Sequence, residues 1–181
     1  MRLFTGKGDG GETDLLGERV SKHDPRIALI GALDEATSSI GFARALSGQE
    51  RANEWSKETQ RDLYQIMAEL AFVDDLRPDA YVLPAERVTR LEELTDQLSV
   101  EIELPRHFVL PGETAASAAF DVARTVVRRA EREAVALAAD HPINREIVRY
   151  LNRLSSLLFM LARAEEAGAG TVAPKAKAPR S

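Results

Sequence analysis

The segment that decides the fold is residues 113–139, which read ETAASAAFDVARTVVRRAEREAVALAA. Alanine, valine, arginine and glutamate make up most of this run, and strand signals are all but missing from it. The pair His141-Pro142 follows, and a proline disfavours the helical conformation in the residue that precedes it. We therefore predict one long helix from Glu113 to Ala139.

Working outward, four further segments repeat apolar residues at helical spacing. They predict a first helix from Arg26 to Leu46, a second from Glu50 to Leu76, a third from Pro84 to Ile102 and a fifth marked by Ile143 to Leu161. No period-2 alternation with hairpin turns is found, so no sheet is expected. The sequence predicts an all-α fold, a five-helix bundle, with a glycine-rich leader at residues 1–25 that belongs to no helix.

Length and composition restrict the class of protein further. The 181 residues, 44% hydrophobic and 29% charged, suit one globular domain. We predict this domain over residues 1–166 and a flexible tail over 167–181. Without cysteine and without metal-ligand spacing among the three histidines, no metal site is expected. No apolar stretch is long enough for an export signal or a membrane span, and the net charge of −5 argues against nucleic acid, so a cytoplasmic protein without membrane or nucleic-acid partners is predicted.

The leader carries the first candidate site. Its glycines let backbone N–H groups approach an oxyanion closely, its threonines add hydroxyl donors, and Lys7, Arg19 and Lys22 add positive charge. It is not a Walker A loop, because no strand precedes it. The spacing is compatible both with a cradle for a polyphosphate and with a flexible leader that binds nothing.

The second candidate site, which we call the arginine face, lies on the predicted helix 113–139. Arg124, Arg128 and Arg132 are spaced i, i+4 and i+8, and Glu131 lies beside them. A solvated face balanced by glutamates is one interpretation. The apolar residues that occupy most of the remaining surface of this helix favour the other, in which the arginines border an interface or a pocket.

Two polar residues fall at the edges of apolar stripes. Asp34 lies at the edge of the apolar arc of the first helix, where an unpaired carboxylate is costly, so we expect an arginine partner for it. Glu35 is expected to turn toward solvent. Asn152 lies beside a second apolar edge of the fifth helix, either as an interface amide or as a ligand contact.

Six ordered motifs resemble those of the PduO-type ATP:cob(I)alamin adenosyltransferases, over residues 5 to about 163. They are Thr5-Gly-Lys-Gly-Asp-Gly-Gly-Glu-Thr13; Gly17-Glu-Arg-Val-Ser-Lys22 with Asp24-Pro-Arg26; Gly31-Ala-Leu-Asp34-Glu35 through Ser39-Ile-Gly41; Phe108-Val-Leu-Pro-Gly112; Ala123-Arg124-Thr-Val-Val-Arg128-Arg129-Ala-Glu131-Arg132; and Asn152-Arg-Leu-Ser155. The glycine loop alone is weakly specific, whereas six motifs in one order are strongly specific.

The resemblance implies a homotrimer that binds ATP between subunits and seats cobalamin beside it. The implied reaction moves the 5′-deoxyadenosyl group of ATP to the cobalt of cob(I)alamin and releases triphosphate, with a divalent cation, expected to be Mg²⁺, on the phosphates. Because the chain has no cysteine and no flavin motif, an external reductase would supply cob(I)alamin.

The same resemblance assigns roles to individual residues. From one subunit, ATP would be held by Thr5, Gly6, Lys7, Gly8, Glu12, Thr13 and Lys22, and from its neighbour by Arg128, Arg129, Glu131, Arg132 and Asn152. Arg128 would contact the phosphates and Asn152 the region of the ribose. Asp34 and Arg124 would pair across the subunit boundary. Phe108 would displace the lower axial ligand of the corrinoid.

Two residues depart from the family pattern. Ser156 stands where an aspartate often follows Asn-Arg-Leu-Ser, so a charge network through that carboxylate is in question. Glu113 stands where a second glycine often follows Pro111-Gly112. Two other functional classes could use the same leader and arginines: a nucleotide-binding sensor without turnover and a nucleic-acid binder. The net charge of −5 argues against the nucleic-acid binder.

Overall fold

Five helices form most of the computed structural model, which describes residues 6–177. They are α1 (Pro25–Leu46), α2 (Glu50–Ala71), α3 (Ala85–Glu101), α4 (Ala115–Asp140) and α5 (Arg145–Gly168), with 3₁₀ turns at Asp74–Leu76 and Asp79–Tyr81. The five-helix prediction is therefore confirmed, with boundaries that shift by a few residues. In the described part of the chain, no helix combines the length and apolar character that crossing a bilayer requires.

Side-chain caps explain where three of the helices begin. Asp24 accepts a hydrogen bond from the backbone N–H of Arg26 and starts α1 at Pro25. Thr114 and Ser117 form a reciprocal capping box, so α4 begins at Ala115 and Glu113 stays outside the helix. Asn144 accepts from the N–H of Glu146 and starts α5 two residues later than the apolar pattern suggested.

The bundle packs around α4, which lies between α1 and α5, while α2 packs on α1 and α3 on α5. The largest fully buried side chains include Leu33, Phe120 and Tyr150. At one end of the bundle, residues from the start of α1, the end of α2 and the α4–α5 turn line one cleft. We call it the leader end, because the leader is bonded to the end of α2 there. At the opposite end, α1 finishes beside the start of α4 and the end of α5.

The leader contains a small antiparallel hairpin, so the expectation of no strands was wrong. β1 (Glu12–Asp14) pairs with β2 (Arg19–Ser21) in the register Thr13 opposite Val20. Each strand has three residues, which is too short for an alternating pattern to show in the sequence. Side-chain contacts of Arg19, described below, hold the two strands together.

The predicted second helix was too long at its end. It stops at Ala71 instead of Leu76, because the following backbone pairs with the leader. The N–H of Leu16 donates to the carbonyl of Ala71 at 2.8 Å, and the N–H of Val73 donates to the carbonyl of Leu16 at 3.1 Å. These two bonds fix the leader to the end of α2.

The segment expected to form a flexible tail from residue 167 has a more specific course in the structure. Helix α5 continues to Gly168, and the chain then returns to residues 107–112, which we call the connector. Leu110 donates to the carbonyl of Pro174 at 2.9 Å, and Ala176 donates to that of Phe108 at 2.8 Å. Composition alone does not reveal such a non-local pairing. Residues 178–181 lie outside the described part of the chain.

Candidate functional site

Arg19 organises the leader. Its Nε donates to Glu12 Oε2 at 2.9 Å, Nη1 to Asp14 Oδ1 at 2.8 Å and Nη2 to the carbonyl of Lys7 at 2.7 Å. The three bonds join both strands of the hairpin to the glycine loop that precedes it. The sequence placed Arg19 among the cations available to a phosphate, whereas in the structure two carboxylates already neutralise it.

The loop from Gly6 to Gly11 consists of two consecutive turns. Asp9 donates to the carbonyl of Gly6 and Gly11 to that of Gly8, both at 3.2 Å. Gly6 and Gly11 have positive φ angles of 71° and 83°, a conformation that favours glycine. A side chain at Gly8 would place its Cβ 3.2 Å from Nζ of Lys22, a tight contact, so the glycine lets that ammonium group lie close against the loop.

The structure thus gathers most of the predicted leader residues into one place. Gly6, Lys7 and Gly8 lie in the loop, Glu12 and Thr13 lie in β1, and Lys22 closes onto Gly8. Thr5, the remaining predicted residue of this group, lies outside the described residues. The leader residues that the sequence separates by up to 16 positions therefore form one compact surface carrying two lysines.

The arginine face lies on α4, and its members differ in their contacts. Arg128 and Arg132 are exposed, and Nη1 of Arg132 donates to the carbonyl of Arg128 at 2.9 Å. Arg129 points toward α1 and pairs with Glu35, whose carboxylate raises the pKa of the Arg129 guanidinium through a hydrogen bond. Glu35 is exposed, as expected, and it also has a partner in Arg129, which the sequence did not reveal.

Asn152 of α5 is joined to the arginine face. Its Nδ2 donates to Glu131 Oε1 at 2.8 Å, and its Oδ1 accepts from Nη1 of Arg153 at 2.7 Å. Arg153 in turn donates to Glu92 of α3 at 2.8 Å. The two hydrogen bonds fix the orientation of the amide, so Glu131 and Asn152 present one polar surface next to Arg128.

Asp34 and Arg124 do not meet within the chain. Arg124 donates through Nε to Asp121 Oδ1, one turn earlier on α4, at 2.9 Å. The side chain of Asp34 is exposed on α1 and makes no hydrogen bond or ion pair with any of residues 6–177. The predicted pairing of these two residues is therefore not made inside one subunit.

Phe108 projects from the connector, and its side chain is 90% exposed. It borders a cleft of about 520 Å³, which we call the Phe108 cleft, together with Pro105, Arg124, Asp121 and Phe159. Sequence reasoning missed Asp121 and Phe159 as cleft residues. The position of Asp121 three residues before Arg124 was a signal for the first of these, because i,i+3 pairs on a helix are neighbours.

The leader and the arginine face lie at different heights of the bundle. The Glu35–Arg129 ion pair is ten residues from the start of α1, which corresponds to about 15 Å along the helix axis. The hydrogen bonds that fix the hairpin in place go to the leader itself and to the end of α2. Among the described residues, no group of three or more histidine, aspartate or glutamate side chains could hold a metal ion.

A family model described as cobalamin adenosyltransferase matches residues 3–165. A corrinoid adenosyltransferase of Bacillus subtilis is 39% identical over 174 residues, covering 94% of this chain and 89% of the relative. The corrinoid adenosyltransferase PduO of Salmonella typhimurium is 35% identical over 171 residues. That match covers 93% of this chain and 51% of the relative, so the chain spans about half the length of that protein.

Solved structures give the same result. A phenylalanine-to-alanine variant of a PduO-type ATP:corrinoid adenosyltransferase from Lactobacillus reuteri, complexed with cobalamin and ATP, superposes with a TM-score of 0.91 at 29% identity over 98% of this chain and 100% of that chain. An arginine-to-lysine variant of the enzyme from the same organism, complexed with ATP, gives a TM-score of 0.89 at 31% identity over 97% of this chain and 100% of that chain. As its ordered motifs predicted, the chain belongs to the PduO-type cobalamin adenosyltransferase family.

Proposed function

We propose that this protein transfers the 5′-deoxyadenosyl group of ATP to the cobalt of cob(I)alamin, forming adenosylcobalamin and releasing triphosphate. The observation that carries the proposal is the match, over 98% of the chain, to a relative solved with both cobalamin and ATP. The leader and the arginine face support the proposal, because they carry the glycines and cations that suit a polyphosphate leaving group.

The reaction requires that C5′ be positioned against cobalt and that cations stabilise the leaving triphosphate. Co(I) attacks C5′, a cobalt–carbon bond forms, and the bond between C5′ and the phosphate oxygen breaks with its electron pair leaving on triphosphate. No protein base takes part in this displacement. Groups that hold C5′ in line with cobalt and stabilise the charge growing on the leaving oxygen lower the barrier.

The leader would bind the phosphates from one side. The N–H groups of the loop Gly6–Gly8 and the ammonium groups of Lys7 and Lys22 are the donors that an oxyanion binds. Thr5, Glu12 and Thr13 would complete this half of the site. The Arg19 bonds would keep the loop in shape while its own charge stays neutralised.

The arginine face would bind the other side of ATP. Arg128, exposed and free of side-chain partners among residues 6–177, can offer its planar fork to two phosphate oxygens. Arg132 and Arg129 would add positive charge, and Asn152, held by Glu131, would face the ribose. A divalent cation, expected to be Mg²⁺, would neutralise further phosphate charge, and Glu131 is the carboxylate that this face would offer to it.

We further propose that the two halves of the site come from neighbouring subunits of a homotrimer. The separation of the leader from the arginine face supports this arrangement. So do Asp34, an exposed carboxylate for which the described residues offer no partner, and the exposed apolar side chains of Phe42 on α1 and Val122 on α4. In the trimer, Asp34 of one subunit would pair with Arg124 of the next.

The corrinoid would lie at the Phe108 cleft, one helical turn along α4 from Arg128. Phe108, nearly fully exposed in the single chain, would occupy the lower face of the corrinoid and exclude its axial ligand. A separate reductase would deliver the electron that converts cob(II)alamin to cob(I)alamin.

The test is to incubate the protein with ATP and chemically reduced cob(I)alamin. We expect the corrinoid spectrum to change to that of adenosylcobalamin, with one triphosphate released per product and with no change when ATP is omitted. Bound ATP without any adenosylcobalamin would instead indicate a nucleotide-binding sensor, and would overturn the proposed reaction.

A further inference from the structure

A buried chain of charges runs from the Phe108 cleft into the core between α4 and α5. Oδ1 of Asp121 accepts from Nε of Arg124 at 2.9 Å, and its Oδ2 accepts from Nη2 of Arg163 at 2.8 Å. The same Nη2 donates to Oε1 of Glu166 at 2.7 Å. Arg163 is only 4% exposed, and Asp121 and Glu166 are buried as well.

Burying such a cluster to join two helices costs solvation free energy. Burying ions costs solvation that their mutual attraction only partly returns, and apolar side chains of similar volume often serve stability as well or better. Two donor atoms of Arg163, Nε and Nη1, have no partner in the described structure, so the cluster is not even fully satisfied. This cost suggests that a residue of the cluster has a task besides holding α4 to α5.

Asp121 is the member in a position to act on the proposed site. It binds Arg124 through Nε, the guanidinium nitrogen nearest the side-chain stem, and this bond fixes the plane of the group. Nη1 and Nη2 of Arg124 remain without a partner among residues 6–177. Unlike Asp121 and Arg163, Arg124 is partly exposed. A guanidinium anchored at Nε and open at both Nη atoms is prepared to receive a second carboxylate.

We propose that Asp121 is a positioning residue, which holds Arg124 in the orientation that binds Asp34 of the neighbouring subunit. The inference rests on the subunit pairing proposed above and adds a residue to it. Asp121 borders the Phe108 cleft, but it is buried and both of its carboxylate oxygens already accept from arginines, so we assign it no contact with ATP or the corrinoid. Its effect on the shared site passes through Arg124.

Glu166 offers a matched control. It binds the same nitrogen of Arg163 as Asp121 does, at nearly the same length, but it makes no contact with Arg124. If the cluster only fastens α5 to α4, Asp121→Asn and Glu166→Gln have comparable consequences. If Asp121 orients Arg124, only Asp121→Asn affects the subunit contact.

The experiment is a double-mutant cycle on assembly, measured by sedimentation velocity over a range of protein concentrations. We expect Asp121→Asn to raise the midpoint for trimer dissociation about tenfold and Glu166→Gln to change it less than about twofold. In an Arg124→Ala background, Asp121→Asn has no further effect. Additive effects of the two substitutions, or equal effects of Asp121→Asn and Glu166→Gln, would overturn the inference.

Circular dichroism spectra show whether each variant is folded. If Asp121→Asn does not fold, Asp121→Glu enters the same cycle, because it keeps the charge but moves the carboxylate by one methylene. A loss of assembly that depends on Arg124 again supports the inference, and unchanged assembly contradicts it. A monomeric wild type would overturn the shared site together with this inference, whereas a trimeric wild type with additive variants would overturn the inference alone.

Discussion

Arg128 is the residue on which the proposed stabilisation of triphosphate depends most directly. Lysine keeps the charge but loses the planar fork that makes two bonds to phosphate oxygens. We therefore expect Arg128→Lys to lower kcat/KM for ATP by about 10- to 100-fold, the cost of one or two charge-assisted hydrogen bonds. The melting temperature should not change, because the side chain is exposed.

Initial rates with cob(I)alamin measure the effect. The matched control is Arg145→Lys, because Arg145 has an 88% exposed side chain at the leader end of α5 and no proposed contact with ATP. Near wild-type kinetics for Arg128→Lys would show that the geometry of this guanidinium is unimportant.

Phe108 tests a different step, the reduction of cobalt. A donor on the lower face of Co(II) raises the energy of the orbital that accepts the next electron, so removal of that donor makes reduction easier. A phenyl ring cannot coordinate and keeps water from the vacated position. An anchoring role for Phe108 in its connector is not supported, since 90% of the side chain is exposed.

Phe108→Ala should bind ATP normally and keep a usable part of its activity when chemically generated cob(I)alamin is supplied. When cob(II)alamin must be reduced on the enzyme, activity should fall much further, and the spectrum of four-coordinate Co(II) should disappear. Tyr64→Ala is the control: it removes an exposed aromatic ring that lies on α2, away from the connector, and should leave both assays unchanged. Equal losses of Phe108→Ala in both assays would assign the ligand-displacing role elsewhere.

At the level of elements, the hairpin of the leader depends on one side chain. Arg19→Ala removes the bonds that tie Glu12, Asp14 and the carbonyl of Lys7 together. We expect the KM for ATP to rise about tenfold, because the loop must then be ordered by the nucleotide itself. Arg51→Ala is the matched control: Arg51 pairs with both oxygens of Glu101 and is 40% exposed, against 39% for Arg19. An unchanged KM for Arg19→Ala would contradict a binding role of the hairpin.

The core contains a titratable contact between α2 and α5. The hydroxyl of Tyr150 donates to Oδ2 of Asp62 at 3.0 Å, and Arg87 of α3 lies 3.3 Å from Oδ1. Burial raises the pKa of Asp62, while the Tyr150 hydrogen bond and Arg87 lower it. Burial and the neighbouring carboxylate raise the pKa of Tyr150, which therefore stays a donor.

Tyr150→Phe should lower the free energy of unfolding by about 1–3 kcal/mol at pH 7, because the buried carboxylate loses its donor. A raised folded-state pKa means that the ionised Asp62 costs stability, and this cost is present at neutral pH and disappears below the unfolded value of about 3.9. Urea denaturation should accordingly show a larger difference between variant and wild type at pH 7 than at pH 4.5. Tyr64→Phe is the exposed control, and a difference independent of pH would contradict the coupling.

The helices could be predicted from the sequence because their signals are local. Apolar residues at helical spacing and prolines at element ends placed all five within a few residues. The hairpin could not be predicted, since three-residue strands carry no pattern and periodicity does not show that Arg19 binds Glu12 and Asp14 across them. The end of α2 and the course of residues 173–176 depend on backbone pairing with distant segments, which periodicity does not encode.

The candidate site was predictable to the extent that its residues lie in motifs. Gly8 and Lys22, predicted as members of one group, do lie together. The ion-pair partners of the charged residues were harder to predict: Glu35 pairs with Arg129, and Arg124 pairs with Asp121. A helix face in the sequence shows which side chains are neighbours on that helix but not which carboxylate on another helix reaches them.

At the scale of the whole molecule, the proposed site requires more than one copy of the chain. The leader is fixed to the end of α2, and the arginine face lies partway along α4, so each subunit would carry two half-sites. In the proposed homotrimer, a closed ring of three subunits would bring the leader of each one to the arginine face of the next. Every site then depends on residues from two chains.

The most direct test of this central claim is subunit complementation. One variant carries Lys7→Ala and Lys22→Ala in the leader, and the other carries Arg128→Ala; each should be nearly inactive alone. Coexpressed in equal amounts, they should regain about a quarter of wild-type adenosyltransferase activity, because half of the leaders and half of the arginine faces are intact and combine at random. If the coexpressed variants show no more activity than the two measured separately, each site lies within one chain and the account is wrong.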